Sequence, residues 1–387
     1  MKRIMHYQGI SVFTTQPVEV HIHAQKIVAI TPLQTLADLP YIAPGFFDMQ
    51  VNGYKGSDYS LEDFSEDHLK KIIAYLATSG VTQHFPTIVT GPRERMVQTL
   101  RIISAARRHD PQIAAAIPGI HIEGPYISAE DGPRGAHDPA YIRDPDVIEF
   151  KQWQEAADGK IALVTIAPER RGALDFIRQV VACGVATAIG HTAADPATIR
   201  QAIMAGARLS THLGNGSHGQ IPRLNNYLWE QLAADELMAS IIADGFHLPA
   251  SVLKVISRAK GLDKLILVSD VALLGGFVPG IYQWGNLDVQ VFEDGHLGLP
   301  GTEFLAGAAH LLDWDLAHFM NTTGYDLAST LPLCTTNPAK LLNATKHLGE
   351  FAIGAPANLV LFRFHPGDER LAIEKTIRAG KEIFTKR

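Results

Sequence analysis

The sequence predicts an α/β protein in which a (β/α)8 TIM-type barrel carries a small β-sandwich domain formed by the two ends of the chain. The chain has 387 residues, 46% of them hydrophobic, which is enough to bury a large core. Eight short apolar runs, each bounded by turn residues, alternate with segments of helical periodicity. These eight units cover about 270 residues, close to the roughly 250 residues of a typical (β/α)8 barrel.

The barrel strands are predicted at eight short apolar runs. These runs span residues 44–53, 81–89, 116–124, 161–169, 185–191, 208–213, 240–247 and 264–270. Helices are predicted between them, for example from Ser65 and after Asp195, which precedes Pro196 as an N-cap precedes a first-turn proline. A doubly wound open sheet is the alternative fold. It is disfavoured because no glycine-rich phosphate-binding turn follows the first strand.

The remaining segments complete the predicted domain organisation. Residues 1–43 and 350–387 alternate as strands do, without helical spacing, and are predicted to form a second, small β domain. Residues 44–349 are predicted to form the catalytic barrel. A β-hairpin insertion is predicted near residues 281–299, with the Asp294–Gly295 pair as its turn.

Composition and charge exclude several classes of partner. The formal net charge is −6, and no cluster of Lys and Arg is dense enough to indicate a nucleic-acid surface. Cys183 and Cys334 are the two cysteines, too few for a disulfide framework and without zinc-motif spacing. The N-terminal stretch lacks the apolar region of a signal peptide, and no run reaches the length needed to span a bilayer. We therefore expect a cytoplasmic protein with neither a nucleic-acid nor a membrane partner.

Polar residues at the ends of the predicted strands indicate a catalytic site. In a (β/α)8 barrel the carboxyl ends of the strands converge on one face. The residues concerned are Gln50, Asn52, Glu123, His191, His212, His247 and Asp270. Two histidines and a carboxylate from three strands supply the ligands of a catalytic zinc or similar divalent ion, with one position left for water. Asp270, which closes an apolar run, is placed to move a proton, so metal-assisted hydrolysis of an amide or ester is predicted.

Each of these residues also has an ordinary structural explanation. His191 and His212 could be hydrogen-bonded turn histidines, and Glu123 and Asp270 could be loop or cap carboxylates. The combination favours the metal site, because four ionisable groups at four strand ends are costly to bury unless they share a metal.

Several segments together resemble a known family. The segments are PGFFDMQVNG, GIHIEGPYIS, RGAHDP, GHTAADPATIRQAIMAGARLSTHL, IIADGFHLP and LVSD. In order and spacing they resemble the N-acetylglucosamine-6-phosphate deacetylases of the amidohydrolase superfamily. The resemblance implies a (β/α)8 barrel with a terminal β-sandwich that hydrolyses the N-acetyl group of an amino-sugar phosphate to acetate and a free amine. It also implies one divalent metal ion (zinc, or else iron, manganese or cobalt) and a homodimer.

The resemblance assigns the catalytic roles residue by residue. Glu123, His191 and His212 match the metal ligands, Asp270 the general base and acid, and His137 the residue that polarises the acetyl carbonyl. Gln50 and Asn52 stand where two-metal members of the superfamily have a His-x-His pair. Since amides are poor zinc ligands, we expect one metal rather than two.

The resemblance also indicates substrate contacts. Arg223 and His247 match the residues that hold the sugar phosphate, which in the family are contributed across a dimer interface. A guanidinium suits a phosphate because it can donate two parallel hydrogen bonds. Asn215 and Gly216 lie in a loop whose backbone amides are expected to approach an anion closely.

The chain departs from the family pattern around the substrate. It reads HLGNGSHG, SDV and LAGAA where the family commonly has HL-x-NAM, TDA and LSGS or LAGS. His218, within the first of these, is expected to be a solvent-facing loop histidine. Two other functions therefore stay open: a related amidohydrolase acting on another N-acylated sugar, acylated amine or cyclic amide, and a catalytically silent ligand-binding barrel. The intact Glu123, His191, His212 and Asp270 set argues against the silent barrel.

Overall fold

Strands and helices follow one another along the chain in the order that the sequence predicts. The structure is a computed structural model and describes residues 4–34, 38–284, 287–301, 305–343 and 347–386. The strands are β1 (Met5–Ser11), β2 (Pro17–His23), β3 (Lys26–Pro32), β4 (Tyr41–Pro44), β5 (Phe46–Val51), β6 (Gly53–Tyr54), β7 (Ser57–Asp58), β8 (Val81–Val89), β9 (Ile120–Glu123), β10 (Ile161–Ile166), β11 (Ala186–Ile189), β12 (Leu209–Ser210), β13 (Met238–Ile241), β14 (Leu265–Leu267), β15 (Gly280–Trp284), β16 (Leu287–Val291), β17 (Leu297–Gly298), β18 (Leu359–Arg363), β19 (Ala372–Arg378) and β20 (Lys381–Thr385). The α-helices are α1 (Glu66–Ala77), α2 (Arg93–His109), α3 (Pro111–Ala116), α4 (Val147–Ala156), α5 (Ala173–Ala182), α6 (Pro196–Ala205), α7 (Tyr227–Ala233), α8 (Ala250–Lys260), α9 (Leu312–Thr323), α10 (Leu327–Thr330) and α11 (Thr336–Leu341).

Eight strands form the barrel, in the order β14-β13-β12-β11-β10-β9-β8-β5. Neighbouring strands are parallel, and a parallel bridge between Val51 and Val271 joins the two ends of the sheet. Seven of the predicted runs each enclose one barrel strand, and the run at 240–247 overlaps the end of β13. The predicted (β/α)8 barrel is therefore confirmed, and its strands all run toward the same face.

The barrel wall separates two apolar layers, as the period of a strand requires. Phe46 packs in the outer cluster with the helices, whereas Phe47 packs in the inner cluster inside the barrel. Val164 and Leu163 divide in the same way on β10. Successive side chains of a strand point to opposite faces, so a strand covered on both sides must be apolar at nearly every position.

Local signals place the helix starts. α6 begins at Pro196, and the Asp195 carboxylate accepts a hydrogen bond of 2.7 Å from the Thr198 N–H. α1 begins directly after Ser65, as predicted, although the Ser65 hydroxyl contacts His68 Nδ1 at 3.0 Å instead of capping the helix. Within the described ranges, no helix combines the length and apolar character needed to cross a membrane.

A second sheet is built from both ends of the chain, in the order β20-β19-β18-β4-β1-β2-β3. Its apolar cluster combines N-terminal residues such as Val20 and Ile42 with C-terminal residues such as Leu359 and Ile377. The small β domain formed from both ends is therefore confirmed. The bounds 1–43 and 350–387 stay a prediction, and residues 1–3, 35–37 and 387 lie outside the described part of the chain.

The insertion near residues 281–299 differs from the predicted hairpin. It has three strands, β15, β16 and β17, and the Asp294–Gly295 turn joins β16 to β17. Gly295 has φ +88°, which explains the glycine at this turn. The residues between β15 and β16, 285–286, lie outside the described residues. The sheet packs on Ala272 and Leu274, so it covers the segment that directly follows Asp270.

Candidate metal centre and active site

Three of the predicted site residues lie in sharp turns just beyond barrel strands. His191, His212 and Asp270 have backbone φ values of +51°, +30° and +51°, which residues other than glycine rarely adopt. Such conformations persist only where surrounding contacts enforce them, and they concentrate at functional sites. The contacts here include a 2.7 Å hydrogen bond from His212 N to Ser240 Oγ and a 3.0 Å bond from Asp270 N to Gln50 O.

Glu123, His191 and His212 form a buried cluster suited to bind a metal ion. Glu123 Oε1 lies 3.0 Å from His212 Nε2 and 3.3 Å from His191 Nε2, and the two Nε2 atoms are 3.0 Å apart. A tetrahedral zinc site with bonds of about 2.0–2.1 Å places its ligand atoms roughly 3.3 Å apart. The donor set and its spacing therefore fit a divalent ion of the zinc type.

Electrostatics keep the carboxylate of this cluster ionised. Burial alone would raise the pKa of Glu123, but its contacts with His191 and His212 lower that pKa well below its ordinary value. An ionised carboxylate is the form that binds a metal.

The backbone carbonyl of Pro133 orients the ring of His191. His191 Nδ1 lies 2.8 Å from the Pro133 carbonyl oxygen, which can only accept, so Nδ1 carries the proton. In the neutral ring the lone pair is then on Nε2, which faces Glu123. Gly216 makes room for the ring, since a Cβ atom there would lie 2.7 Å from His191 Nδ1.

Gln50 and Asn52 act as hydrogen-bond donors inside the site. Gln50 Nε2 donates to Glu123 Oε1 at 2.8 Å and to Asp270 Oδ1 at 3.0 Å. Asn52 Nδ2 donates to the same Asp270 oxygen at 2.7 Å. The amide N–H groups thus occupy the space between two carboxylates, where a second cation would otherwise be needed to offset their charge.

Asp270 is a buried carboxyl beside this cluster. Burial and the charge of Glu123 raise the pKa of Asp270 to about 6. A group with this pKa can accept a proton and release it again near neutral pH, as a general base and acid must.

His137 lies against the cluster, as predicted. Its ring centroid is 4.4 Å from that of His191, and its Nδ1 is 2.8 Å from Thr90 Oγ1. Burial, together with the neighbouring His191, lowers the pKa of His137 to about 3. The ring is therefore neutral, and if the Thr90 hydroxyl donates to Nδ1, the Nε2 atom carries a proton that it can donate.

His247 interacts with a residue of the site, whereas the side chain of Arg223 makes no polar contact within the described ranges. His247 Nδ1 donates to Asp244 Oδ2 at 2.7 Å, which fixes the ring, and the charge of His247 acts on Asp270. Arg223 is exposed, and its guanidinium makes no hydrogen bond or ion pair within the described ranges. The phosphate roles of His247 and Arg223 stay predictions.

The loop residues Asn215 and Gly216 have roles that differ from the expected anion contact. Both Asn215 N and Asn215 Nδ2 donate to the His212 carbonyl oxygen, at 2.9 and 3.2 Å. The Asn215 backbone amide is therefore already used, and Gly216 is required by His191. A substrate role for these two residues stays a prediction that this geometry does not favour.

His218 is not the solvent-facing residue that the sequence suggested. Its Nδ1 contacts the Tyr227 hydroxyl at 3.0 Å and its Nε2 contacts Glu130 at 3.1 Å, with 27% of the side chain exposed. It links the loop after His212 to the loop after Glu123. A histidine in a glycine-rich loop has no sequence signal for such a long-range pair.

Asp48 is a supporting residue that sequence reasoning missed. Its buried carboxylate accepts from Gln50 N at 3.2 Å, Ser269 N at 3.3 Å and Ser269 Oγ at 2.5 Å. These bonds fix the backbone next to both Gln50 and Asp270. A lone aspartate in the middle of an apolar strand, FFDMQV, was the available signal.

Comparison with known proteins agrees with this site. The Amidohydrolase family model matches residues 41–383. The N-acetylglucosamine-6-phosphate deacetylase of Bos taurus is 32% identical over 356 residues, covering 89% of this chain and 83% of that protein. The enzyme of the same name from Bacillus subtilis (strain 168) is 31% identical over 330 residues, covering 83% and 80%.

Solved structures give the same result over nearly the whole length. A mutant N-acetyl-D-glucosamine-6-phosphate deacetylase from Mycobacterium smegmatis, in complex with N-acetyl-D-glucosamine-6-phosphate, matches with TM-score 0.87 and 28% identity, covering 99% of this chain and 100% of that one. The Thermotoga maritima enzyme matches with TM-score 0.84 and 26% identity, covering 99% and 100%. The chain belongs to the amidohydrolase family and, within it, to the N-acetylglucosamine-6-phosphate deacetylases.

Proposed function

We propose that the protein hydrolyses N-acetylglucosamine 6-phosphate to glucosamine 6-phosphate and acetate. The observation that supports this most is the buried Glu123–His191–His212 cluster with Asp270 held beside it by two amide side chains. The deacetylases to which the chain is similar support the amino-sugar phosphate as substrate.

Glu123, His191 and His212 would hold a single divalent ion. When bound, that ion supplies a Lewis acid and lowers the pKa of a nearby water molecule toward neutrality. Two imidazoles and a carboxylate suit zinc best, and iron, manganese and cobalt are compatible with the same donors. Gln50 and Asn52 favour one ion over two, because their N–H groups already satisfy the carboxylates.

Asp270 moves the proton of the reaction. It accepts a proton from the attacking water, whose oxygen bonds to the acetyl carbon, and it returns that proton to the sugar nitrogen as the C–N bond breaks. His137 Nε2 donates a hydrogen bond to the acetyl oxygen, on which negative charge develops. The products are acetate and the free amine.

We further propose that the sugar phosphate is held by His247 of one subunit and Arg223 of another in a homodimer. Arg223 is exposed and unpaired within the described ranges, and Leu224 and Trp229 beside it are 73% and 50% exposed. Exposed apolar groups near an unpaired guanidinium suit an interface between subunits.

The dimer proposal is tested by mixing two inactive variants. Arg223→Ala and Asp270→Asn subunits, exchanged in solution, would form hybrid dimers that contain one intact site. Activity is expected to recover on mixing. Because only one of the two sites in each hybrid dimer is intact, it can reach at most about half of the wild-type value. A mixture as inactive as its components would show that Arg223 serves its own subunit.

The reaction is tested by acetate release from N-acetylglucosamine 6-phosphate and from the unphosphorylated sugar, with metal-replete protein. Preference for the phosphorylated sugar is expected. Asp270→Asn should keep its metal and lose about 10² to 10⁴ in turnover. Release from neither sugar would redirect the assignment to another acylated amine, and preference for the unphosphorylated sugar would remove the phosphate role of Arg223 and His247.

A cytoplasmic location stays our prediction from cysteine usage. Cys183 and Cys334 are both free thiols in the structure, one exposed and one buried. Thiols without a disulfide partner suit a reducing compartment.

A further inference from the structure

The outer face of the small β domain contains a second cluster of metal-ligating side chains. His6 on β1 lies directly opposite His21 on β2, and Glu19 lies two residues before His21 on the same strand. Residues two apart on a strand share a face, so all three side chains project from one side of the sheet. Their ligand atoms lie within 4.8 Å of one another.

The geometry of this cluster resembles that of the barrel site. Glu19 Oε2 lies 3.0 Å from His21 Nε2 and 3.6 Å from His6 Nδ1, and the two ring centroids are 4.5 Å apart at an interplanar angle of 71°. Ligand atoms in a tetrahedral zinc site are separated by roughly 3.3 Å. Both sites thus offer two imidazole nitrogens and one carboxylate oxygen, and in both the carboxylate oxygen lies 3.0 to 3.6 Å from the two nitrogens.

Neighbouring groups hold the three side chains in this arrangement. Gln8 Nε2 donates to Glu19 Oε1 at 2.9 Å, which turns the other oxygen, Oε2, toward the two rings. β2 is hydrogen-bonded to β1 on one side and to β3 on the other, so the backbone beneath Glu19 and His21 is fixed. Thr31 Oγ1 lies 3.3 Å from His21 Nε2 and completes the polar contacts of the cluster. A carboxylate oriented by an amide is typical support for a metal site.

We propose that His6, Glu19 and His21 bind a second divalent transition-metal ion, of the class of zinc, nickel or copper. Two imidazoles among three ligands select these ions over magnesium and calcium, which prefer oxygen. The side chains of His6, Glu19 and His21 are 48%, 23% and 24% exposed, which leaves an entry path and positions for water ligands. Binding would link β1 to β2 outside the barrel. The proposal is independent of the proposed hydrolysis.

Metal stoichiometry tests the proposal. The protein is dialysed against micromolar zinc, then analysed for bound metal. About two equivalents per chain are expected for the wild type, and about one for His6→Gln or His21→Gln. His23→Gln, which removes an exposed histidine at the end of the same strand, is the matched control and should retain two. Dialysis against magnesium should load neither histidine site.

A second measurement separates a lost site from a damaged fold. With free metal removed, His6→Gln and wild type should have the same unfolding temperature, and added zinc should raise that of the wild type further than that of His6→Gln. Deacetylase activity should be unchanged in both histidine variants, because neither residue touches the barrel site. Equal metal content in the wild type and in both histidine variants would overturn the second site, whatever the barrel site binds.

Discussion

At the scale of single residues, the candidate metal site depends on Gly216, although this glycine offers no ligand atom itself. Gly216 has φ +55°, and an added Cβ atom would meet His191 Nδ1 at 2.7 Å. Nδ1 is the atom that Pro133 holds, so the whole ring would have to shift. The glycine at this position therefore leaves room for the ring of His191, a candidate metal ligand.

We predict that Gly216→Ala weakens metal binding by about 10-fold to 100-fold, which is typical when the support of a metal-binding histidine is disturbed. Bound metal measured during dialysis against a chelator checks this. Gly219→Ala is the control in the same loop, because an added Cβ there meets no atom within 4 Å. Equal metal retention in the two variants would show that the loop tolerates the extra carbon.

The Thr90 hydroxyl contacts one ring nitrogen of His137. It is 2.8 Å from Nδ1, and when it donates to that atom the ring proton is on Nε2, where our proposal needs it for the acetyl oxygen. We predict that Thr90→Val lowers kcat about 10-fold to 100-fold with a smaller change in KM, because the lost interaction belongs to the transition state. Thr90→Ser should restore most of the rate. If valine and serine variants have equal rates, the hydroxyl does not orient His137.

At the scale of elements, one buried side chain both starts a helix and holds the loop that bears Arg223. Asn226 Oδ1 accepts from Leu228 N and Trp229 N, both at 3.0 Å, as the N-cap of α7. Its Nδ2 donates to the Pro222 carbonyl at 2.7 Å. The same residue therefore sets the position of the helix and of the segment before it.

We predict that Asn226→Ala destabilises the protein by about 1 kcal/mol, the usual cost of losing an N-cap, and raises KM for the phosphorylated substrate. Asn226→Asp keeps the cap acceptor but cannot donate to the Pro222 carbonyl, so it should still raise KM. Urea unfolding and steady-state kinetics measure the two effects. An aspartate variant with wild-type KM would mean that this bond does not place Arg223.

Element prediction succeeded where the signal was local. The Asp195–Pro196 start of α6 is visible in the sequence because cap and helix are neighbours. The insertion at 281–299 was only partly predicted, since the Asp294–Gly295 turn identifies one chain reversal but not the strand on its other side. Strand pairing depends on residues far away in sequence, which a turn motif does not specify.

At the scale of the whole molecule, a buried histidine lies where the barrel meets the small domain. His84 on β8 contacts the Tyr59 hydroxyl through Nε2 at 2.7 Å, and Arg378 of β19 is close enough to act on its charge. Burial, with Arg378, lowers the pKa of His84 from 6.5 to about 3. The unfolded chain therefore binds a proton at a pH where the folded chain does not.

Above about pH 6.5 His84 is neutral in both states and the free energy of unfolding is not reduced. As the pH falls from 6.5 toward about 3, the unfolded chain gains a proton that the folded chain does not, so the free energy of unfolding decreases. We predict that His84→Gln reduces the slope of unfolding free energy against pH by about 1.4 kcal/mol per unit between these limits. Urea unfolding at several pH values checks this. An unchanged slope in His84→Gln would show that His84 is not the group.

The sequence alone was enough to predict the barrel and to name the candidate reactive groups. Period-two and helical patterns are local, so the eight strand positions could be predicted, and the family motifs placed Glu123, His191, His212 and Asp270 at strand ends. The tertiary structure decided how these groups are held. Gln50 and Asp270 are 220 positions apart, and only closure of the barrel brings them to 3.0 Å. Nothing in a local pattern reports such a contact, because hydrogen bonds between distant segments depend on the complete fold.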